Sequence, residues 1–394
     1  MNIFKKILNL FSGFIAAILI LFSLVFMGFS AFSGYKIIAK GGYESKLNET
    51  GNGNYNFLDF IPAATNAATG NLVELSGQKE GRINTLVLGR DPEGGLTDTI
   101  MILSYFVQEK KMVTVNIPRD FYVSNSDIVG EKINGIVTIM GSALGDDGTN
   151  DVAGIEYFVK FLQKEFDIKI NYWASINVGG LRSVIDLIGG VEIDVQCSFT
   201  DYTFPADNYQ GYISPAPVFT KGIMKMDGIT ASIYARSRYS QSCNEGSDFA
   251  RSKRQSIVIQ AALLKIKNAN LTDNLFKVND YLKILNQNFK TNMTNDEIVA
   301  SAFLFKSFEP SQNYYKLIWE TGNGFLCDSQ SSAGSYIISY GIAGDCGYLY
   351  GGSMKSNIYK TKAQLFFKNM LKNGQISLNY QNSQNSTSIV KEVN

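Results

Sequence analysis

From Ile7 to Tyr35 the chain carries no charged side chain, and most of the run is Leu, Ile, Phe, Ala and Val. A bilayer span takes about 20 apolar residues, whereas the apolar region of a cleaved leader is only about 7–15 residues long. The run is therefore read as an uncleaved anchor. A segment apolar on every side has no face to offer to water, so any soluble fold must be built from the residues after Tyr35. Lys5 and Lys6 precede the run, and basic residues stay on the cytoplasmic side. The expected order is a cytoplasmic N-terminus (1–6), a single-pass anchor in the cell membrane (7–35), and an extracytoplasmic remainder.

That placement sets the chemistry open to the four cysteines, Cys197, Cys243, Cys327 and Cys346, all of which lie beyond the anchor. An even count in an oxidising compartment favours disulfides. The expected pairs are Cys197–Cys243 and Cys327–Cys346, because each closes a loop within one region. No Cys-x-x-Cys spacing supports zinc. The chain has no histidine, which excludes Ser-His-Asp and Cys-His nucleophiles, His-Glu-x-x-His zinc sites and any imidazole base. A metal would be held by oxygen or by cysteine, and oxygen ligands suit Mg²⁺, Mn²⁺ or Ca²⁺. Lys and Arg (36) nearly balance Asp and Glu (35), so no overall basic field predicts a nucleic-acid partner.

Residues 36–80 are rich in Gly, Asn, Ser, Thr and Ala and read as a flexible stalk, with a short ordered piece at Phe57–Ile61. Short apolar runs then predict strands at Ile83–Leu88, Thr99–Val107, Met112–Ile117, Tyr172–Ile176 and Val191–Val195. Helical periodicity or capping predicts helices at Gly154–Phe166, Leu181–Ile188, Asp227–Arg236 and Ser247–Lys267, the last capped by Ser247 or Asp248. Strands interleaved with helices imply an α/β layer arrangement, its sheet covered by helices on both faces. The principal domain is expected over 81–268. Region 269–373 completes that fold or forms an accessory part, with helices near Asp273–Leu285, Thr294–Phe305 and Thr361–Lys372 and a strand at Tyr315–Trp319. Within it, Thr321–Ser353 is rich in Gly, Ser and Cys. The polar tail 374–394 reads as disordered.

Four arginines crowd between Ala235 and Gln255: Arg236, Arg238, Arg251 and Arg254. An arginine fork suits bidentate contact with phosphate oxygens. On a helix from Ser247, residues Asp248, Arg251 and Gln255 share one face. Taken alone, that cluster is more often a solvated helix face with internal ion pairs. A further arginine stands in Ile117-Pro118-Arg119-Asp120, directly after a strand-like run; its plain reading is an edge-of-strand turn.

Together these segments resemble the LytR-CpsA-Psr family of bacterial envelope proteins. The resemblance rests on Leu88-Gly89-Arg90-Asp91 with Leu96-Thr97-Asp98-Thr99, on Ile117-Pro118-Arg119-Asp120-Phe121 with Lys132-Ile133-Asn134, on Asp186-Leu187-Ile188-Gly189-Gly190-Val191, and on Tyr234-Ala235-Arg236-Ser237-Arg238 with Ser247-Asp248-Phe249-Ala250-Arg251-Ser252-Lys253-Arg254-Gln255. It covers about Ile83 to Ile266. The resemblance implies a central mixed β-sheet, a tunnel for a prenyl chain, and a phosphotransferase. That enzyme would move a glycan from a polyprenyl-pyrophosphate carrier to peptidoglycan or another envelope acceptor, assisted by Mg²⁺ or Mn²⁺, and would make region 81–268 the catalytic domain. It also implies that Asp91 and Asp98 hold the metal, and that Lys132, Arg251, Arg254 and Gln255 line the head-group pocket. Asp248 would orient its arginine neighbours. Where the family commonly has an arginine two residues before the second aspartate, this chain has Leu96; Arg90 is the candidate substitute.

The residues themselves support the chemistry. Phosphoryl transfer from a pyrophosphate asks mainly for positioning and charge neutralisation, which Arg119, Arg236 and Arg238 are suited to supply. Two rival readings remain at this point: a hydrolase of the lipid-linked pyrophosphate, and a non-catalytic module that retains lipid-linked glycan.

Overall fold

The structure is a computed structural model that describes residues 66, 70–90, 95–123, 131–145, 151–206, 211–240, 242, 245–267, 288–305, 308–318, 326–330, 336–342, 345–346, 354–368, 371–372 and 375–376. The anchor 7–35, the piece at 57–61 and the helix expected at 273–285 lie outside them. Among the described residues no helix is long and apolar enough to cross a membrane.

The first strands are β1 (Arg82–Arg90), β2 (Thr97–Phe106), β3 (Lys111–Ile117), β4 (Tyr122–Val123), β5 (Glu131–Lys132) and β6 (Tyr172–Asn177). Helices α1 (Ile136–Ala143) and α2 (Val152–Phe166) fall before β6, and α3 (Val178–Leu187) follows it. Next come β7 (Val191–Val195), β8 (Phe199–Thr200), β9 (Val218–Phe219), β10 (Gly222–Met226), α4 (Gly228–Arg236) and α5 (Asp248–Lys267). Then follow β11 (Phe289–Thr291), α6 (Asn295–Phe305), α7 (Pro310–Asn313) and β12 (Tyr314–Ile318). The last elements are β13 (Leu326–Gln330), β14 (Tyr336–Ile342), β15 (Asp345–Cys346), α8 (Met354–Lys368), β16 (Leu371–Lys372) and β17 (Gln375–Ile376).

These elements form two compact units: Ser76–Trp173 with Tyr314–Asn394, and Ala174–Asn313 with Met1–Leu75. The first is strand-rich. There β1, β2 and β3 run antiparallel in sequence, and β12 joins β3 in parallel, so the sheet is mixed. Leu86, Val87, Leu88, Ile100, Met101, Ile102, Val113 and Val115 are all buried. Burial on both faces explains why the strands read as continuous apolar runs rather than alternating ones. α1, which periodicity did not reveal, packs on α2. Their approach needs a glycine, because a Cβ at Gly154 would lie 2.0 Å from the Val137 carbonyl oxygen.

The Gly/Ser/Cys-rich stretch 321–353 holds a small antiparallel sheet, β13-β14-β15. Its central strand and α8 are fastened to α2: the Tyr340 hydroxyl donates to Glu165 (2.9 Å), Lys360 Nζ pairs with the same carboxylate (2.6 Å), and Phe166 meets Phe367 at 4.9 Å. Arg82 donates to Asn84, Ser104 and the Phe367 carbonyl, and burial pushes its guanidinium down to about 10.

In the second, more helical unit, α3 begins three residues before the predicted start. The Asn177 side chain caps it by accepting the Gly180 N–H at 2.8 Å. It ends at Gly189 (φ 81°) and Gly190 (φ 77°), a double left-handed turn that feeds β7. β7 pairs with β10, and its residues alternate: Val191, Ile193 and Val195 are buried while Glu192 and Asp194 face out. Asp227 caps α4 through the Thr230 N–H (2.7 Å). Gly228 lets α4 approach α3, since a Cβ there would lie 2.1 Å from the Arg182 carbonyl oxygen. Ser247, rather than Asp248, caps α5, its hydroxyl accepting the Ala250 N–H at 3.0 Å. α6 starts on a capping box, with Thr294 and Glu297 each accepting the other's N–H.

Candidate functional site

The sequence-predicted residues fall in both units, and each group is built locally. In the strand-rich unit, Pro118 ends β3 because it has no N–H to continue the ladder. The chain turns there, with Phe121 N–H donating back to the Pro118 carbonyl (3.0 Å) and Asn134 N–H to the Arg119 carbonyl (3.3 Å). This turn aims Arg119 at β2. Its Nη1 meets Asp98 Oδ1 at 2.5 Å, and its Nε lies 3.6 Å from Asp120 Oδ2. Asp120 Oδ1 in turn takes Lys132 Nζ at 2.6 Å.

The result is a row of alternating charges, Asp98–Arg119–Asp120–Lys132. Asp120 in the middle is buried, while Asp98 and Lys132 at the ends are about one-third exposed (33% and 32%). An anion is met at one end by an ammonium, and a cation at the other by a carboxylate. Asp120 stood beside Arg119 in the sequence but had no signal of its own. Its role comes from the fold, as the buried pivot between two cations.

The same turn is braced by the C-terminal sheet of its unit. Ile338 N–H donates to the Asp120 carbonyl (2.9 Å), and Phe121 forms a parallel bridge with Ile338. The Phe121 ring sits edge-on to Tyr340 at 5.0 Å and tilted against Phe166 at 6.4 Å.

Arg90, the candidate substitute for the family arginine, is engaged by protein groups. It is 5% exposed, donates to Thr97 Oγ1 (2.9 Å) and Thr138 Oγ1 (3.2 Å), and pairs with Asp151 (3.2 Å). Thr138 also donates to the Gly95 carbonyl. Arg90 thus secures the start of β2, close ahead of Asp98, and its guanidinium faces protein rather than a head group. A bulge between Gly89 and Arg90 sets it opposite Thr97. Leu96 is 43% exposed.

In the helical unit, Arg236 ends α4 with its guanidinium 5.5 Å over the Phe204 ring. Arg238 follows, its backbone N–H held by Asp201 Oδ2 at 3.1 Å and its guanidinium 5.4 Å over Tyr239. Arg251 and Gln255 are both buried on α5 (5% and 6% exposed), and the side chain of Asp248 lies outside the described residues.

Arg254, expected from the family resemblance to line the head-group pocket, is held by protein groups. It is 1% exposed, and it donates to the carbonyls of Tyr234 (2.8 Å), Glu245 (2.9 Å) and Ser237 and to the Glu245 carboxylate. Its guanidinium also lies over the adjoining rings of Phe199 (5.0 Å) and Tyr234 (5.8 Å). Burial pushes its pKa down, while Glu245 opposes that shift. Arg254 therefore fastens the segment bearing Arg236 and Arg238 to α5. Asp201, fully buried, was another residue that sequence reasoning passed over.

Of the expected metal ligands, Asp91 lies outside the described residues and Asp98 is described. Among the described residues no cluster of three or more metal-ligating side chains occurs. A partly exposed carboxylate at Asp98 is a hard oxygen donor of the kind Mg²⁺ or Mn²⁺ takes. No described cysteine is a free thiol.

The model of the LytR_cpsA_psr family matches residues 60–314. A polyisoprenyl-teichoic acid–peptidoglycan teichoic acid transferase TagU from Bacillus cereus is 29% identical over 57% of this chain and 65% of its own length. The TagU of Enterococcus faecalis is 27% identical over 63% of this chain and 73% of its own. The chain thus spans just under two thirds of the Bacillus relative. The crystal structure of protein gbs0355 from Streptococcus agalactiae shares the fold at a TM-score of 0.52, with 17% identity, over 75% of this chain and 91% of that one. With the family's model matching well over half of its length, the chain belongs to the LytR_cpsA_psr family.

Proposed function

We propose that this protein is a phosphotransferase that moves a glycan phosphate from a polyprenyl-pyrophosphate carrier to peptidoglycan or another envelope glycan. The observation that carries the reading is the Asp98–Arg119–Asp120–Lys132 row at the head of β3. Family membership and the teichoic acid transferases among its relatives support the substrate class. In the reaction, an acceptor hydroxyl oxygen bonds to the glycan-bearing phosphorus. The bond from that phosphorus to the bridging oxygen breaks, and prenyl monophosphate leaves, taking the proton that the hydroxyl loses.

Charge develops on the phosphoryl oxygens during transfer, so fixed cations matter more than acid–base groups. Arg119 and Lys132 supply such cations at the turn after β3, and the same reading makes Arg236 and Arg238 pyrophosphate ligands. Asp120 holds Arg119 and Lys132 in place before substrate arrives, which avoids reorganisation during the reaction. Asp98, together with Asp91, would hold Mg²⁺ or Mn²⁺, which when bound supplies further neutralisation of phosphate charge.

The proposal places the protein in the cell membrane through residues 7–35, with its folded part extracytoplasmic; the uncharged run and Lys5–Lys6 support this. Helices covering both sheet faces, and the disulfides Cys197–Cys243 and Cys327–Cys346, belong to the same reading. The absence of free thiols among the described cysteines supports the disulfides.

The test uses the full chain in detergent micelles with a prenyl-pyrophosphate-linked glycan and peptidoglycan. A glycan–phosphate–peptidoglycan product is expected, and Arg119→Lys should lower turnover because the charge stays while the fork is lost. Free glycan phosphate as the sole product identifies a hydrolase instead, and binding without turnover identifies a retention module.

A further inference from the structure

Between β8 and β9 the chain makes an excursion, described over residues 201–206 and 211–217. Its root is an aromatic cluster: Phe199 and Phe219 are 4.8 Å apart, and Tyr234 lies 5.0 Å from Phe219. Two inward residues lock the excursion to the arginine pair. Asp201 accepts the N–H of Thr203 (3.2 Å) and the N–H of Arg238 (3.1 Å). Phe204, 2% exposed, lies under the Arg236 guanidinium. The two arms of the excursion are bonded to each other, Ile213 N–H to the Phe204 carbonyl at 2.9 Å and Ala206 N–H to the Gly211 carbonyl at 3.1 Å.

Three rings stay outside this anchored root. Tyr202 is 75% exposed, Tyr212 62% and Tyr239 57%. Large rings on a fastened backbone are poised to bind rather than to fill a core. The C–H face of a pyranose ring packs on such a ring, and the phenol hydroxyl serves the sugar's hydroxyls. Tyrosines also populate membrane interfaces. Here, however, Tyr239 lies under the Arg238 guanidinium and Tyr202 follows the Asp201 that holds the Arg238 N–H, which favours the glycan of the arginines' own substrate as the partner.

We propose that Tyr202, Tyr212 and Tyr239 form a sugar-stacking subsite beside Arg236 and Arg238, taking the pyranose rings next to the pyrophosphate. The subsite rests on the reading of those arginines as pyrophosphate ligands. It accounts for selection of a lipid by its glycan, which pyrophosphate contacts alone do not supply.

The experiment measures affinity of the full chain in detergent micelles for two probes: a prenyl pyrophosphate carrying a disaccharide of hexoses, and the same prenyl pyrophosphate with no sugar. Tyr202→Ala and Tyr212→Ala should each weaken the sugar-bearing probe by roughly three- to tenfold and leave the sugar-free probe unchanged. Tyr202→Phe and Tyr212→Phe, which keep the ring, should restore most of the loss. Equal loss on both probes, or no loss on either, overturns the subsite. Weakened binding to phosphatidylglycerol vesicles without substrate would make the tyrosines a membrane contact and also overturn it. Arg238→Ala is the separate check on the underlying reading: if it leaves the sugar-free probe unaffected, the arginine assignment fails whatever the tyrosine variants do.

Discussion

Replacing Arg254 tests whether that arginine is a fastener or a substrate ligand. Its guanidinium serves three backbone carbonyls and one carboxylate and is 1% exposed. In Arg254→Ala the Glu245 charge and the carbonyls of Tyr234, Ser237 and Glu245 lose their donor together. Removing one member of a buried pair costs about 3–5 kcal/mol. Each orphaned buried carbonyl adds about 1–3 kcal/mol where water does not reach it. These losses overlap, so about 4 kcal/mol is expected for the alanine variant. Arg254→Lys keeps a charge for Glu245 but not the fork, and about 2 kcal/mol is expected. Denaturant unfolding followed by circular dichroism reads the stability, and hydrogen exchange reads the protection of segment 237–247. Both should fall, with lipid affinity declining only as far as the segment loosens. An Arg254→Lys variant of wild-type stability that fails to bind prenyl pyrophosphate would refute the reasoning and return Arg254 to the ligands.

Tyr340→Ala removes the ring braced against Phe121 and is expected to lower turnover per folded molecule through the Arg119–Asp120 turn. Tyr340→Phe loses only the Glu165 bond and should keep that turnover; equal turnover in both would confine the contact to stability. Asp98→Asn keeps shape but removes the charge facing Arg119, so turnover should fall at least ~10²-fold while prenyl-pyrophosphate binding persists. A Mg²⁺ titration that matches wild type would remove Asp98 from metal binding. Burial pushes both Tyr105 and Tyr234 from 10.0 to about 12. The folded state therefore holds these protons more tightly than the unfolded one, and the stabilisation is full below pH 10 and lost as pH rises through about 12. A Tyr105→Phe or Tyr234→Phe variant that loses part of the tyrosinate absorbance rising at ordinary phenol pH, before unfolding, would contradict that order.

Much of the fold was legible locally. β1, β2, β3 and β7 were read to within a few residues because burial leaves an apolar run or an alternation in any strand of a packed sheet. Gly189-Gly190 and Asp227-Gly228 marked their breaks because backbone conformation and capping are properties of a few neighbouring residues. β13 to β15 were not legible. β14 carries Ile337, Ile338 and Tyr340, but its short apolar run sits inside a stretch rich in Gly and Ser, and its pairing is decided by what it covers rather than by its own pattern.

The arginines divide in the same way. The sequence by itself determined which side chains are permanently charged forks, and their order along the chain placed it beside a family. Only the tertiary structure decided which of them face protein. Arg254 meets carbonyls 17 and 20 residues away, and Arg90 meets Thr138 48 residues on. The turn bearing Arg119 is held by Ile338, which belongs to a strand far down the chain. Whether a guanidinium is buried and satisfied depends on acceptors brought near by packing, and no local spacing encodes where those acceptors will be.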